Sequence, residues 1–280
     1  MSHMNAPAMS RSNVTLDIEA LSFKATMLSL AGISIVLLLA PTVIVLIVSF
    51  TSDYSLRFPP TGFSLQWYAA LTEDAALKLA AWNSFKIAIA TTLVSVVLGV
   101  AAALSIARSR TLSAQALDQL FMSPLVLPAL AFALAALMFF SVMGFPISTT
   151  SLVIGHTIVC IPYVIRNTVA ALHQLDPALL ECSASLGASR SYTFRRITLP
   201  LIRPGILAGA FICFMSSFDN VPVSLFLRDA ATDMLPIRMW QNLENSLDVT
   251  IAAVSGVLIA FTIVLMLLME RLTGLSKRLA

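Results

Sequence analysis

Residues 27–50 read MLSLAGISIVLLLAPTVIVLIVSF, 24 positions without a charged side chain. An apolar run of about 18 residues or more is long enough to cross a hydrocarbon core about 30 Å thick as a helix. Pro41 falls inside the run, which a membrane helix tolerates when neighbouring groups satisfy the freed carbonyl. The stretch sets the expected fold class: an all-α, polytopic membrane protein. The chain as a whole agrees, with 58% of its 280 residues hydrophobic, 11% charged and a mean hydropathy of +0.90. Soluble domains carry about 45–50% apolar residues, and a water-soluble fold could not hide the excess.

Outward from this run, five further spans are expected. Residues 85–107 are rich in small side chains that favour close helix packing, and Arg108 and Arg110 close the span. Residues 120–143 carry Pro124 and Pro128 near their start, and Gly144-Phe145-Pro146 turns the chain into a short fourth span, 151–165. The fifth span covers 206–227 and the sixth 249–269, followed by Glu270, Arg271, Lys277 and Arg278. About six transmembrane helices place both termini on one side. Of the 17 Lys and Arg residues, about twelve fall in the termini, the second loop and the long loop 166–203, so these are read as cytoplasmic. The first loop, 51–82, faces out, and its stretch 65–79 with Trp67-Tyr68 reads as a short interfacial helix.

Residues 1–24 read as a cytoplasmic tail whose opening, Met1-Ser2-His3-Met4, resembles a vector-derived scar. No cleavable signal peptide is apparent, so the first span is expected to remain as an anchor. Residues 25–280 then form one transmembrane domain. The formal charge of +3 is spread along membrane flanks rather than gathered on a face, so nucleic acid is not an expected partner. Cys160, Cys182 and Cys213 lack metal-ligand spacing; neither a disulfide nor a metal site is expected.

The cytoplasmic loop 166–203 is too long for a simple turn. Asp176-Pro177 opens a helix there, Asp as the cap and Pro in the first turn. Leu179, Leu180, Ala184 and Leu186 supply apolar contacts, and Gly187 permits a break that residues with a Cβ resist. A second short helix over 189–197 leads to Pro200, giving a helix-turn-helix that carries Arg190, Arg195 and Arg196.

Within it stand Glu181-Cys182-Ser183-Ala184-Ser185-Leu186-Gly187 and, ten positions after the glycine, Ile197-Thr198-Leu199-Pro200. This resembles the EAA loop of binding-protein-dependent, type I ABC importer permeases: Glu-Ala-Ala, three residues, Gly, nine residues, Ile-x-Leu-Pro. Cys182 and Ser183 depart from the two alanines but are also small. Phe63-Ser64-Leu65-Gln66-Trp67-Tyr68, Trp82-Asn83-Ser84 and Ser217-Phe218-Asp219-Asn220 with Val221-Pro222-Val223-Ser224 extend the resemblance, the last toward the spermidine/putrescine and opine branch.

The resemblance implies a permease fold whose elbow docks on an ATPase. Glu181, Ser183, Gly187, Ala188, Arg190, Ile197, Leu199 and Pro200 would be the coupling residues, with Glu181 anchored to the ATPase or within the loop. It implies two ABC ATPase subunits, a second and different permease subunit, a periplasmic binding protein and the lipid of a bacterial inner membrane as partners. No phosphate-binding loop, Gly-x-x-x-x-Gly-Lys-Ser/Thr, occurs in the chain. It is therefore expected to be no enzyme and to hold no cofactor, ATP and Mg belonging to the ATPase subunits.

Asp219, with Asn220, Ser216, Ser217 and Trp240, is the candidate substrate pathway, because an acid near mid-bilayer costs roughly 3 kcal/mol unless it is partnered or wet. The pathway reading takes a cationic amine as substrate, polyamines first and opines, amino-acid derivatives or aminophosphonates as alternatives. A structural reading has Asp219 cap a helix break near Pro222 or pair with Arg228. His156 reads as a buried histidine bonded to a carbonyl, and His173 as solvated. The mixed charges of loop 228–248 suit docking of a binding protein. A secondary transporter is the rival class, and it should show inverted repeats.

Overall fold

The computed structural model describes residues 18–109, 111–229, 231–245 and 249–274. Among them the regular structure is helical: α1 Ile18–Ser49, α2 Gln66–Glu73, α3 Ala75–Arg108, α4 Leu112–Val126, α5 Ala129–Val142 and α6 Thr149–His173. Then follow α7 Pro177–Ser185, α8 Arg190–Thr193, α9 Leu199–Phe218, α10 Val221–Leu227, α11 Leu235–Asn245 and α12 Thr250–Thr273. Five stretches are long and apolar enough to span a membrane, and α4 with α5 makes a sixth only as a bent pair.

Helices α3, α6 and α9 pack against one another most extensively, and α12 carries α1 at the periphery. The α6–α9 contact is backbone-close. A Cβ on Gly205 would stand 2.7 Å from the carbonyl oxygen of Asn167, and one on Gly209 would stand 2.9 Å from the Cα of Val164. This is the small-xxx-small spacing that lets membrane helices approach where no hydrophobic effect drives them together. Only 6% of the apolar window of α1 is buried, as expected of a helix solvated by lipid.

Four expected spans are corrected. Residues 120–143 do not form one helix: α4 and α5 meet at a bend of 108°. Pro128 forces Leu127 into an extended conformation (φ −75°, ψ 142°) and removes the N–H that would continue the helix. The second span begins at Ala75, ten residues earlier than expected, because Asp74 caps it by accepting from Leu77 N–H at 2.9 Å; α2 stops at Glu73 rather than running to residue 79. The fourth span is not short. It continues to His173, since Asn167 donates to the Tyr163 carbonyl (2.8 Å) and Arg166 reaches Asp118 of α4 (3.6 Å).

The fifth span ends at Phe218, not 227, and it begins far earlier than expected: α8 and a π turn at Phe194–Thr198 run straight into α9 through Pro200 and Pro204. A Leu199 N–H to Phe194 carbonyl bond belongs to that wider turn, which relieves the hydrogen bonding Pro200 cannot make. Of the expected interfacial pair, Tyr68 turns inward. Tyr68 places its hydroxyl 2.7 Å from the Ser49 hydroxyl, against α1, and Trp67 packs edge-on to Tyr54 at 5.5 Å.

Helix direction sorts the molecule into two ends. The α7–α8 elbow lies at one, where α6 ends and α9 begins; the starts of α1 and ends of α12 lie there too, because Ser49, Tyr68 and Gly256 meet at the other. That other end holds α10, α11 and the starts of α3 and α6.

Candidate functional site

The elbow is built by local rules. Asp176 accepts from Ala178 N–H at 2.9 Å and Pro177 takes the first helical position, so α7 starts there. Its end is a Schellman turn: Ala188 N–H donates to the Ser183 carbonyl (3.1 Å) and Gly187 N–H to that of Ala184 (2.9 Å). Gly187 adopts φ +77°, a conformation costly for residues with a Cβ. Ser189 then caps α8 by accepting from Tyr192 N–H at 3.3 Å.

A side-chain bond closes the angle. The hydroxyls of Ser183, on α7, and Thr193, on α8, lie 2.8 Å apart, with Ser183 buried between the two arms. The position where the motif would carry alanine thus holds a hydrogen bond across the elbow. Glu181 and Arg190, Arg195 and Arg196 point out of it, exposed. Glu181 makes no ion pair or hydrogen bond to any described residue. Leu199 and Pro200 are exposed, while Ile197 and Ala188 are half-buried. A cleft of about 700 Å³ runs between the elbow and α3, lined by Leu104, Leu180, Ala184, Ala188, Arg190 and Phe194 among others.

The opposite end holds the break between α9 and α10. Asn220 caps α10, its Oδ1 accepting from Val223 N–H at 2.9 Å. Arg228 pairs with Asp233 at 3.0 Å, and Arg238 approaches the same carboxylate at 3.5 Å. Both structural roles considered for Asp219 therefore fall to other residues. Asp219 is exposed, without an ion pair to any described residue, and lines an open cleft of about 430 Å³ with Met215, Ser216, Asn220 and Pro222.

Two residues expected in the pathway stand elsewhere. Ser217 is fully buried with its hydroxyl 2.8 Å from His156 Nδ1, and Trp240 is exposed on α11 and not among the residues lining the Asp219 cleft. His156 reaches the backbone of Ser217, as expected of a buried histidine bonded to a carbonyl, and also two hydroxyls, that of Ser217 and that of Ser224 at 3.2 Å from Nε2. Sequence reading also missed the anchor of the α10–α11 connection. Asn83 donates to the Asp233 carbonyl (3.1 Å), and Ser84 accepts from Leu235 N–H (2.9 Å). The available signal was two adjacent hydrogen-bonding residues, Asn83 and Ser84, in an otherwise apolar helix. In the same connection the Thr232 hydroxyl, then the amides of Thr232 and Ala231, hold the Asp229 carboxyl below its usual range. Among the described residues no group of three or more metal-ligating side chains converges.

Residues 95–276 match the family described as "Binding-protein-dependent transport system inner membrane component". The spermidine/putrescine transport system permease protein PotC of Haemophilus influenzae is 29% identical over 234 residues, covering 83% of this chain and 90% of its own. The putrescine transport system permease protein PotI of Escherichia coli is 28% identical over 229 residues, covering 79% and 81%. Among solved structures, the permease fold recurs in a bacterial ABC transporter for import of the acidic polysaccharide alginate (TM-score 0.69, 17% identity, 94% of this chain and 97% of that one). It recurs also in the MetNI methionine ABC transporter (TM-score 0.60, 17% identity, 71% and 94%). With the match spanning well over half of its 280 residues and the fold that of type I importers, this chain belongs to the binding-protein-dependent inner-membrane permeases of ABC importers.

Proposed function

We propose that this permease carries a small organic cation of the polyamine class from periplasm to cytoplasm, driven by separate ATPase subunits seated on the Glu181–Gly187 elbow. The observation that carries the substrate reading is Asp219, a carboxylate free of any described cation at a helix break, facing an open cleft with Ser216 and Asn220. A bare acid beside apolar helices is costly unless something cationic or wet meets it. A protonated amine is that partner, and the PotC and PotI relatives are named for spermidine and putrescine.

The coupling reading is supported by the elbow's exposed Glu181 and its rigid angle. In it, two ATPase subunits bearing ATP and Mg bind this elbow and that of a second, different permease, while a periplasmic binding protein delivers substrate at the α10–α11 end. ATP holds the outward-facing arrangement, and hydrolysis reopens the path inward; the shift follows from ATP's differential affinity for the two states. The excess of Lys and Arg near the elbow and termini supports a cytoplasmic location for both.

The test is uptake of labelled spermidine and putrescine by proteoliposomes holding the whole transporter, with ATP inside and binding protein outside. Loss of a charge-assisted contact of about 1.5–3 kcal/mol should lower uptake by Asp219→Asn roughly ten- to a hundredfold, with the complex still assembled. Full uptake by Asp219→Asn would remove the substrate reading. Uptake independent of internal ATP would favour a secondary transporter.

A further inference from the structure

One buried side chain bonds to both sides of the α9–α10 break. His156 of α6 is fully buried, with Nδ1 2.8 Å from the hydroxyl of Ser217 and Nε2 3.2 Å from that of Ser224. Ser217 lies in the last turn of α9 and Ser224 in α10, on either side of Asp219 and Asn220. A neutral imidazole has one donor and one acceptor nitrogen, and hydroxyls can complement both, so the ring can bridge the break from one side to the other. Next to it, Gly155 leaves room for α10 to press on α6. A Cβ there would collide with Leu227 Cδ1 and come 3.0 Å from Val223 Cγ1.

Asn220 fixes only where α10 starts, through its bond to Val223 N–H. The direction in which α10 leaves α9 depends on what holds both sides of the break to a common support. We infer that His156 is a positioning residue for the transport pathway: bridging Ser217 and Ser224, it fixes the α9–α10 angle and so the placement of Asp219, Ser216 and Asn220 in the cleft. It is not itself among the residues lining the cleft. This rests on the reading of Asp219 as a substrate contact.

His156→Phe keeps a planar ring of similar size and removes both bonds. The freed hydroxyls of Ser217 and Ser224 can turn to carbonyls of their own helices, so the variant is expected to assemble. In proteoliposomes of the complete transporter its KM for spermidine, presented on the binding protein, should rise about tenfold while the maximal rate stays within about twofold, the split expected when binding geometry alone is disturbed. Ser224→Ala, which removes one arm, should move KM in the same direction by less, and should add nothing in the His156→Phe background. If His156→Phe fails to assemble, Ser224→Ala alone carries the test.

A second readout needs no substrate. With Cys182 replaced by serine and Ser216→Cys introduced, the rate at which a water-soluble thiol reagent labels the cleft should change several-fold when His156 is replaced. Cys160 and Cys213 are fully buried and do not compete. An unchanged labelling rate together with an unchanged KM would overturn the inference. If Asp219→Asn transports normally, the substrate reading fails, and the labelling rate still decides whether His156 sets the cleft.

Discussion

Replacing Gly187 isolates the elbow's backbone geometry from its surface. Its φ of +77° lies where L-residues are strained, yet a Cβ built on it meets no atom within 4 Å. Any effect of Gly187→Ala within this chain therefore comes from the dihedral and not from crowding. A left-handed conformation costs an ordinary L-residue about 1–2 kcal/mol, less for Asn, more for β-branched residues. If the strained elbow relaxes when free and is restored on docking, the penalty enters the binding equilibrium in full. That corresponds to about a 5–30-fold weaker complex for Gly187→Ala, an upper bound. The assay is the dissociation constant of the ATPase subunits for the permease pair in lipid nanodiscs. The expected order of affinity is wild type, then Gly187→Asn, Gly187→Ala and Gly187→Val. Ala and Val variants that bind as wild type does would refute the reasoning, as would an Asn variant as weak as Val.

Ser183→Ala and Thr193→Val each remove the bond across the elbow and should cost about 0.5–1.5 kcal/mol, with a double variant no worse than the singles, read as ATP hydrolysed per substrate carried. Gly205→Leu and Gly209→Leu drive side chains into the α6 backbone, 2.7 Å from the Asn167 carbonyl and 2.9 Å from Val164 Cα at the Cβ alone. Both should abolish recovery of folded permease from the membrane, whereas Gly32→Leu, with no atom within 4 Å of its Cβ, should leave it unchanged. Asp233→Asn weakens the clasp on Arg228 and Arg238. The pair is partly exposed, so the loss should be small, about 1 kcal/mol or less, seen as faster proteolysis between α10 and α11.

The elbow was legible in the sequence because its features are local: an Asp-Pro start, apolar positions, and a glycine where the chain reverses. Each acts within a few residues and leaves a mark on composition. The spans were legible as apolar lengths; α12 came close to its expected position, and α1 ends where expected but starts at Ile18, nine residues early and inside the expected tail 1–24. What composition did not disclose was continuity. Arg166 and Asn167 look like the start of a polar loop, yet both find partners while α6 continues beneath them. Pro124, Pro128, Pro200 and Pro204 look alike in sequence, but Pro128 makes a sharp bend and Pro200 is absorbed by a π turn. The difference lies in whether neighbouring helices and a wider turn satisfy the freed groups.

At the candidate pathway, the sequence singled out Asp219 and the structure leaves it facing a cleft. Ser217 was misplaced because a serine one position from Ser216 lies about 100° around the helix, and its partner His156 is 61 residues away. The bridge from His156 to Ser224 could not be read from any spacing.

The central claim is that the Glu181–Gly187 elbow meets an ATP-hydrolysing subunit. The chain supplies its own probe, because Cys182 is exposed on α7 while its other two cysteines, Cys160 and Cys213, are fully buried. A photoactivatable maleimide attached to Cys182 in inverted inner-membrane vesicles containing the complete transporter should, on illumination, link this chain to the ATPase subunit. Adducts confined to lipid or other membrane chains, or labelling of Cys182 only from the periplasmic face, would contradict it.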